Sequence, residues 1–295
     1  PTLLLMIDDI KHSFRNGGVL TQLIYINLGV FLCIKVFGVF AFLLGANPWD
    51  IIRWLALPAE TAQLLQKPWT LISYMFLHEG FLHILFNLLW LYFGGQIFLQ
   101  YLNSKQLLST YILGGLSGAA LYVLVFNISP TFQAVLPQSI ALGASASVLA
   151  IIAAIATYVP NYSVHLTFIG RVKLKHIAIF SILLDVVSIP KGNAGGHIAH
   201  IGGAIFGFIY IKQLQAGKDW ARSFSKLIDY LTNTFTQRKK TLKTVHKRTQ
   251  TDDQWQEKKA KSQDKINQIL DKIAQSGYES LNESEKETLF KESKK

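Results

Sequence analysis

The sequence predicts an all-α polytopic membrane protein, a bundle of six transmembrane helices followed by a C-terminal cytoplasmic helical extension. Half of the 295 residues are hydrophobic, only 16% are charged, and the mean hydropathy is +0.28. Soluble domains carry about 25% charged residues. Between Glu79 and Arg171 the one charged side chain is Lys105, which leaves room for several spans of about 20 residues.

Six apolar segments define the predicted spans. In chain order they are 23–44, 81–101, 107–126, 140–159, 174–189 and 197–214. The fifth is the shortest. No cleavable signal peptide is expected, because the first span of a polytopic protein can itself direct insertion.

The lysine and arginine residues predict the orientation. One set of loops carries Lys11, Arg15, Lys105, Arg171, Lys173, Lys175 and a basic tail, whereas the opposite loops carry Arg53, Lys67 and Lys191. Positively charged loops stay in the cytoplasm. We therefore expect a multi-pass protein of the plasma (bacterial inner) membrane with both termini cytoplasmic, so that the second, fourth and sixth spans run from outside to inside.

Three short motifs lie near the outer starts of these three spans. They are His78-x4-His83-x3-Asn87, Gly143-Ala144-Ser145-Ala146 and Ala199-His200-Ile201-Gly202-Gly203. With 1.5 Å of rise per residue, the polar side chains are expected roughly 5 to 10 Å below the helix ends. Polar groups are costly within a bilayer and mark functional sites. The motifs thus predict one polar cavity in the outer leaflet.

The residue types in this cavity suit nucleophilic catalysis. A serine hydroxyl needs a neighbouring base, and histidine is the usual one, so Ser145 and His200 are predicted to form a dyad. His83 and Asn87 are four residues apart and share a helical face. With the Ser145 backbone N–H, they are candidates to stabilise an oxyanion.

Small residues are expected to bring these helices together. Gly203 and Gly207 form a small-xxx-small face on the sixth span, and Gly143 lies beside the serine. Such faces allow close helix contact in membranes. Ser145 considered alone would more often be a helix-packing serine; the combination with His200, His83 and Asn87 favours catalysis.

The three motifs, in this order and on these spans, resemble the rhomboid family of intramembrane serine proteases over about residues 20–215. The resemblance implies an endopeptidase without cofactor that cuts transmembrane helices of other membrane proteins near the outer face, surrounded by membrane lipids. It implies that Ser145 is the nucleophile, His200 the base, and His83 and Asn87 the oxyanion contributors. It also implies supporting roles for His78 and for Trp69 in the first external loop.

Three positions depart from the family pattern. Thr70 follows Trp69 where arginine is common, Ala146 follows the serine where glycine is usual, and Leu149 replaces an aromatic residue. These departures motivate the alternative of a catalytically inactive rhomboid-like protein that binds membrane clients. A transporter is a more distant alternative, which the lack of a paired intramembrane acid disfavours.

Other polar residues are alternative candidates for the same site. His197 is a competing base, but Gly202-Gly203 follow His200. Asp185 could be a third catalytic member, although a cap or salt bridge is favoured. The run His78-Glu79-x3-His83 resembles a zinc motif, yet five residues rotate a helix by about 140°, whereas metalloprotease histidines are four apart. No metal site is therefore predicted.

The chain divides into four predicted regions. They are a cytoplasmic N-terminal segment (1–20), the six-helix domain (21–215), a juxtamembrane amphipathic and basic linker (216–250) and a small cytoplasmic helical hairpin (251–295). In the hairpin, Ser280-x-x-Glu283 is typical of a capping box. A docking role for a cytoplasmic partner is the hypothesis for the hairpin.

The linker combines an apolar stripe with a basic run. The stripe consists of Trp220, Phe224, Leu227, Ile228, Leu231 and Phe235, and the run consists of Arg238, Lys239, Lys240, Lys243, Lys247 and Arg248. This pattern favours contact with anionic lipids at the inner surface. No nucleic-acid partner is expected, because no nucleic-acid reading motif accompanies the charge.

Overall fold

The computed structural model describes residues 3–166, 170–226 and 252–292. The chain forms two compact units, Pro1–Thr236 and Gln237–Lys295. The predicted positions from Leu227 to Phe235 and the basic run from Arg238 to Arg248 lie outside the described residues. The first unit is a bundle of helices, which confirms the prediction of an all-α membrane protein.

The helices follow one another with short connections. In chain order the first unit contains α1 (Leu3–Asn16), α2 (Val19–Leu43), α3 (Trp49–Leu55), α4 (Thr61–Gln66), α5 (Thr70–Ser73), α6 (Phe81–Tyr101), α7 (Ser104–Ile128), α8 (Ser145–Tyr158), α9 (Leu174–Ser188) and α10 (Ala194–Gln215). By length and apolar composition, four of the described helices can cross a membrane: α2, α6, α7 and α10. The remaining two predicted spans are α8, with 14 residues, and α9, with 15.

The predicted start of the fourth span at Ile140 is wrong. Ile140–Ala141 form strand β2, which pairs antiparallel with β1 (Leu57–Pro58). The N–H of Gly143 then donates to the Tyr74 carbonyl at 2.9 Å, and the helix begins only at Ser145. Ser145 is therefore the first residue of α8, and not more than a turn inside a helix as its position in the predicted span implied.

A second pair of strands lies between α8 and α9. Strand β3 (Ser163–Leu166) pairs antiparallel with β4 (Gly170–Lys173), with Ser163 opposite Lys173 and Val164 opposite Val172. The apolar segmentation of the sequence does not predict this ribbon. It connects the C-terminal end of α8 to the start of α9.

Helix α8 lies at the centre of the bundle, against α6, α7, α9 and α10. From Ala146 to Ala156 every side chain is buried except that of Leu149. Small residues dominate this helix because its neighbours approach closely. A Cβ atom added at Gly203 would strike the Ala146 carbonyl oxygen, and one at Gly207 would strike the Ala150 carbonyl oxygen. The predicted close-contact face of α10 thus packs on the backbone of α8.

The connection between α2 and α6 contains the short helices α3, α4 and α5. The indole rings of Trp54 and Trp69 lie 4.9 Å apart between centroids, and Trp69 Nε1 donates to the Trp54 carbonyl at 2.9 Å. Lys35, the one charged residue of α2, donates through Nζ to the Glu79 carbonyl at 2.6 Å. This contact accounts for a lysine within an apolar helix, because the long side chain of Lys35 reaches a polar acceptor in the loop just before α6.

The second unit contains α11 (Asp252–Ser276) and α12 (Glu283–Glu292). Gly277, with φ of 76°, directly follows the last residue of α11. The predicted capping box at Ser280 and Glu283 is wrong. Asn282 is the cap: its Oδ1 accepts from the Glu285 N–H and its N–H donates to Glu285 Oε2, both at 2.9 Å. Lys272 pairs with Glu285 at 2.9 Å and joins the two helices.

Candidate active site

A cavity of about 1050 Å³ brings together residues of α6, α8, α9 and α10. His83, Asn87, Ser145 and His200 all line it, together with Asp185. Most of the remaining wall is apolar. It comprises Leu82, Phe86 and Trp90 on α6, and Ile177, Phe180 and Leu184 on α9. Four residues predicted from separate motifs therefore face one common space.

Ser145 occupies the first position of α8, where the leading N–H groups have no intrahelical acceptor and the helix dipole is positive. Gly143 precedes it with φ of 132°, a region that residues with a Cβ rarely adopt. A Cβ at Gly143 would also lie 2.9 Å from His83 Nε2 and 3.4 Å from Ser145 Oγ. The glycine is required by backbone conformation and by the space between these two side chains.

His83 and Asn87 occupy successive turns of α6. Asn87 is buried and its Nδ2 donates to the His83 carbonyl at 2.8 Å. A carboxamide has two N–H donors. This bond uses one of them, and the second N–H of Asn87 takes no part in it. The imidazole of His83 stands edge-on to that of His78, with ring centroids 5.2 Å apart. Both predicted oxyanion contributors thus reach the cavity beside the N-terminus of α8.

His200 forms a hydrogen bond that the sequence analysis did not favour. Its Nδ1 lies 2.8 Å from Asp185 Oδ1, and Nδ1 of His197 lies 2.8 Å from the same oxygen. A carboxylate can only accept, so each imidazole donates its Nδ1–H to Asp185. The proton on Nδ1 leaves Nε2 of His200 as the nitrogen with a free lone pair.

Asp185 is the residue that sequence reasoning undervalued. It is buried on α9, where an unpaired carboxylate would be costly. The available signal was the combination of one intramembrane acid with two histidines spaced three residues apart on the next helix. Residues three apart lie on the same helical face, so both imidazoles can reach one acceptor.

The residues predicted to support the site are not among those that line the cavity. Gly203 and Gly207 lie at the contact of α10 with α8. Trp69 lies directly before α5 and is not among the residues that line the cavity. His78 is buried in the loop before α6, with Nδ1 3.3 Å from the Phe76 carbonyl. Its Nε2 is buried without a hydrogen-bond partner among the described residues.

Burial, followed by the neighbouring His83, lowers the pKa of His78 from 6.5 to about 4. Between about pH 4 and pH 6.5, the folded protein therefore binds fewer protons than the unfolded chain. Its free energy of unfolding should decrease as the pH falls from about 6.5 to about 4. Denaturation followed by tryptophan fluorescence in mild detergent measures this dependence. We expect a smaller decrease for His78→Asn, which keeps a donor near Phe76 but does not titrate. Equal pH dependence in both proteins would contradict the assignment.

Comparison with known proteins places this architecture in a family. Residues 65–215 match the family model for the Rhomboid domain, and residues 249–295 match a family of unknown function (DUF6576). The rhomboid match covers the site and all helices that form the cavity.

Individual relatives cover less of the chain. The Rhomboid protease GlpG proteins of Yersinia pestis and Yersinia pseudotuberculosis are 39% identical over 88 residues, which is 30% of this chain and 30% of theirs. RHOMBOID-like protein 12, mitochondrial, of Arabidopsis thaliana is 30% identical over 158 residues, 50% of this chain and 47% of its own. The chain thus matches less than half the length of these curated relatives. From the domain match and the helical membrane bundle, we conclude that the chain belongs to the rhomboid family.

Proposed function

We propose that this protein is an intramembrane serine endopeptidase that cleaves transmembrane helices of other membrane proteins near the outer face. The observation that carries the proposal is the shared cavity of Ser145 and His200, with the Nδ1–H of His200 held by Asp185 at 2.8 Å. This bond keeps the lone pair on Nε2, as a general base requires. The protease names of the relatives GlpG are consistent with this activity.

In the proposed reaction, Nε2 of His200 takes the Ser145 proton while Oγ attacks the scissile carbonyl carbon. His200 then gives this proton to the leaving amine, and water hydrolyses the acyl-enzyme with the same base. Asp185 is a positioning residue: it orients the ring of His200 and stabilises the imidazolium that forms transiently. Among the described residues no hydrogen bond joins Ser145 to His200, and such bonds often tighten only when substrate is bound.

The developing oxyanion needs donors that are already in place. The Ser145 N–H at the start of α8, the second N–H of Asn87 and the ring of His83 belong to residues that line the same cavity, and we propose them as these donors. Their placement at a helix N-terminus adds a favourable dipole. These groups would stabilise the tetrahedral intermediate without the help of a metal ion.

The walls of the cavity indicate the kind of substrate. Large apolar side chains from α6 and α9 border the polar site, and several are exposed, among them Phe86 and Phe180. An apolar helix from the lipid phase suits such walls better than a soluble peptide. We therefore propose transmembrane proteins as substrates and membrane lipids as the surrounding medium.

The arrangement of charged loops supports an orientation with both termini in the cytoplasm. The cavity would then face the extracytoplasmic leaflet of a plasma membrane. The same orientation would place α11 and α12 in the cytoplasm, where they are candidates to dock a soluble partner.

A catalytically inactive, client-binding protein is the second candidate. It is favoured by Leu149, which lines the cavity one turn after Ser145 where an aromatic residue would stack on the histidine ring. Ala146 and Thr70 also differ from the common family residues. The Asp185–His200 hydrogen bond favours the active enzyme, because client binding alone does not need an oriented base.

Substitution Ser145→Ala should abolish cleavage of a transmembrane substrate by the purified protein in detergent or liposomes, because it removes the nucleophile. Ser147→Ala is the matched control: Ser147 lies on the same helix, is fully buried, and its Oγ has no hydrogen-bond partner among the described residues. It should retain most of the activity. Equal cleavage by wild type and Ser145→Ala, measured by gel analysis of products, would refute the protease proposal.

Substitution Asp185→Asn should lower kcat by about 10² to 10⁴-fold with little change in KM, because an amide can stabilise the wrong tautomer of His200. Partial rescue by Asp185→Glu would separate positioning of the base from a general loss of structure. Steady-state cleavage of a fluorogenic transmembrane substrate gives both constants. An unchanged kcat in Asp185→Asn would show that the carboxylate does not act through His200.

A further inference from the structure

A cluster of three metal-ligating side chains lies at one end of the cavity. One ligand atom from each of Asp185, His197 and His200 lies within 4.8 Å of the ligand atoms of the other two residues. The Nδ1 atoms of His197 and His200 are both already 2.8 Å from Asp185 Oδ1. This cluster is separate from the His78–Glu79–His83 run, whose spacing argues against zinc.

We propose that Asp185, His197 and His200 form an inhibitory binding site for Zn²⁺ or a similar divalent transition-metal ion. The donor set of two imidazoles and one carboxylate is one that Zn²⁺ accepts, with water or another ligand in the fourth position. The metal site itself is independent of the proposed protease function, whereas its inhibitory effect rests on that function.

The geometry requires little rearrangement. Metal–ligand bonds of about 2.0 to 2.2 Å place the ligand atoms of a tetrahedral site about 3.4 Å apart. The two nitrogen–oxygen distances of 2.8 Å would need to open by about 0.6 Å. The separation of the two histidine ligand atoms, which is at most 4.8 Å, would need to close by up to about 1.4 Å. His197 and His200 lie on the same face of α10, and Asp185 approaches from α9, so the three ligands come from two packed helices.

The cluster is also accessible to an ion. The side chains of His197 and His200 are 22% and 24% exposed, and that of Asp185 is 11% exposed. Asp185 and His200 line the large cavity, which provides an entry path and room for a water ligand. At present both imidazoles share one oxygen of Asp185 as their acceptor. A cation could bind the carboxylate and both imidazoles at the same time.

Metal binding would disable the base through its tautomer. Nδ1 must lose its proton to bind a metal, and in a neutral imidazole that proton moves to Nε2. Nε2 of His200 would then carry a hydrogen and could not accept the proton of Ser145. Because the bound ion changes only the tautomer of His200, removal of the ion should restore activity.

Zinc binding is tested on the full-length Ser145→Ala protein in detergent, by competition with a fluorescent zinc chelator, so that the result is independent of proteolysis. We expect one ion per chain, and at least about tenfold weaker binding in His197→Ala and in Asp185→Asn. His176→Ala is the matched control, since His176 lines the same cavity but stands outside the cluster; its affinity should be unchanged.

Inhibition is tested on the active protein with buffered Zn²⁺. Cleavage should fall as the site fills and return on addition of chelator, and His197→Ala should keep its basal activity while becoming at least about tenfold less sensitive to Zn²⁺. Absence of stoichiometric binding, or equal affinity in His197→Ala and His176→Ala, would overturn the metal site. Binding without any effect on cleavage would overturn inhibition alone, and failure of cleavage in zinc-free wild type would instead count against the protease.

Discussion

The direct contact between α8 and α10 is the constraint on which the rest of the site depends. Gly203 and Gly207 bring α10 onto the carbonyl oxygens of Ala146 and Ala150, a separation that no larger side chain would permit. In a lipid environment, where hydrophobic burial does not drive helices together, such packing is a main source of association. It places the first turn of α8, which carries Ser145, beside the turn of α10 that carries His200.

Around this contact, the buried side chains of Asp185 and Asn87 both have hydrogen-bond partners. Asp185 receives two imidazole donors, and Asn87 donates to its own helix. Buried polar groups without partners are costly, so such bonds keep the side chains in one arrangement. The proposed chemistry and the proposed metal site use the same property of Asp185: it fixes which nitrogen of His200 is available.

The long helices and the residues of the cavity could be predicted from sequence because both depend on local patterns. Apolar runs define α2, α6, α7 and α10, and the order of the motifs follows the order of the helices. The start of α8 could not be predicted, because it depends on pairing of β2 with the distant β1. The partners of Asp185 were likewise missed, since they depend on the rotation of α9 relative to α10. In the second unit, Ser280 ends a 3₁₀ turn, whereas Asn282 directly precedes α12 and caps it.

The central claim is that His200 activates Ser145 across the contact of these two helices. The most direct test is mass-spectrometric mapping of the adduct formed by a fluorophosphonate probe, in wild type and in His200→Ala of matched thermal stability. The account predicts an adduct on Ser145 in the wild type and at least about 10²-fold slower labelling without the histidine. No adduct on wild-type Ser145, or labelling at the same rate in both proteins, would contradict it.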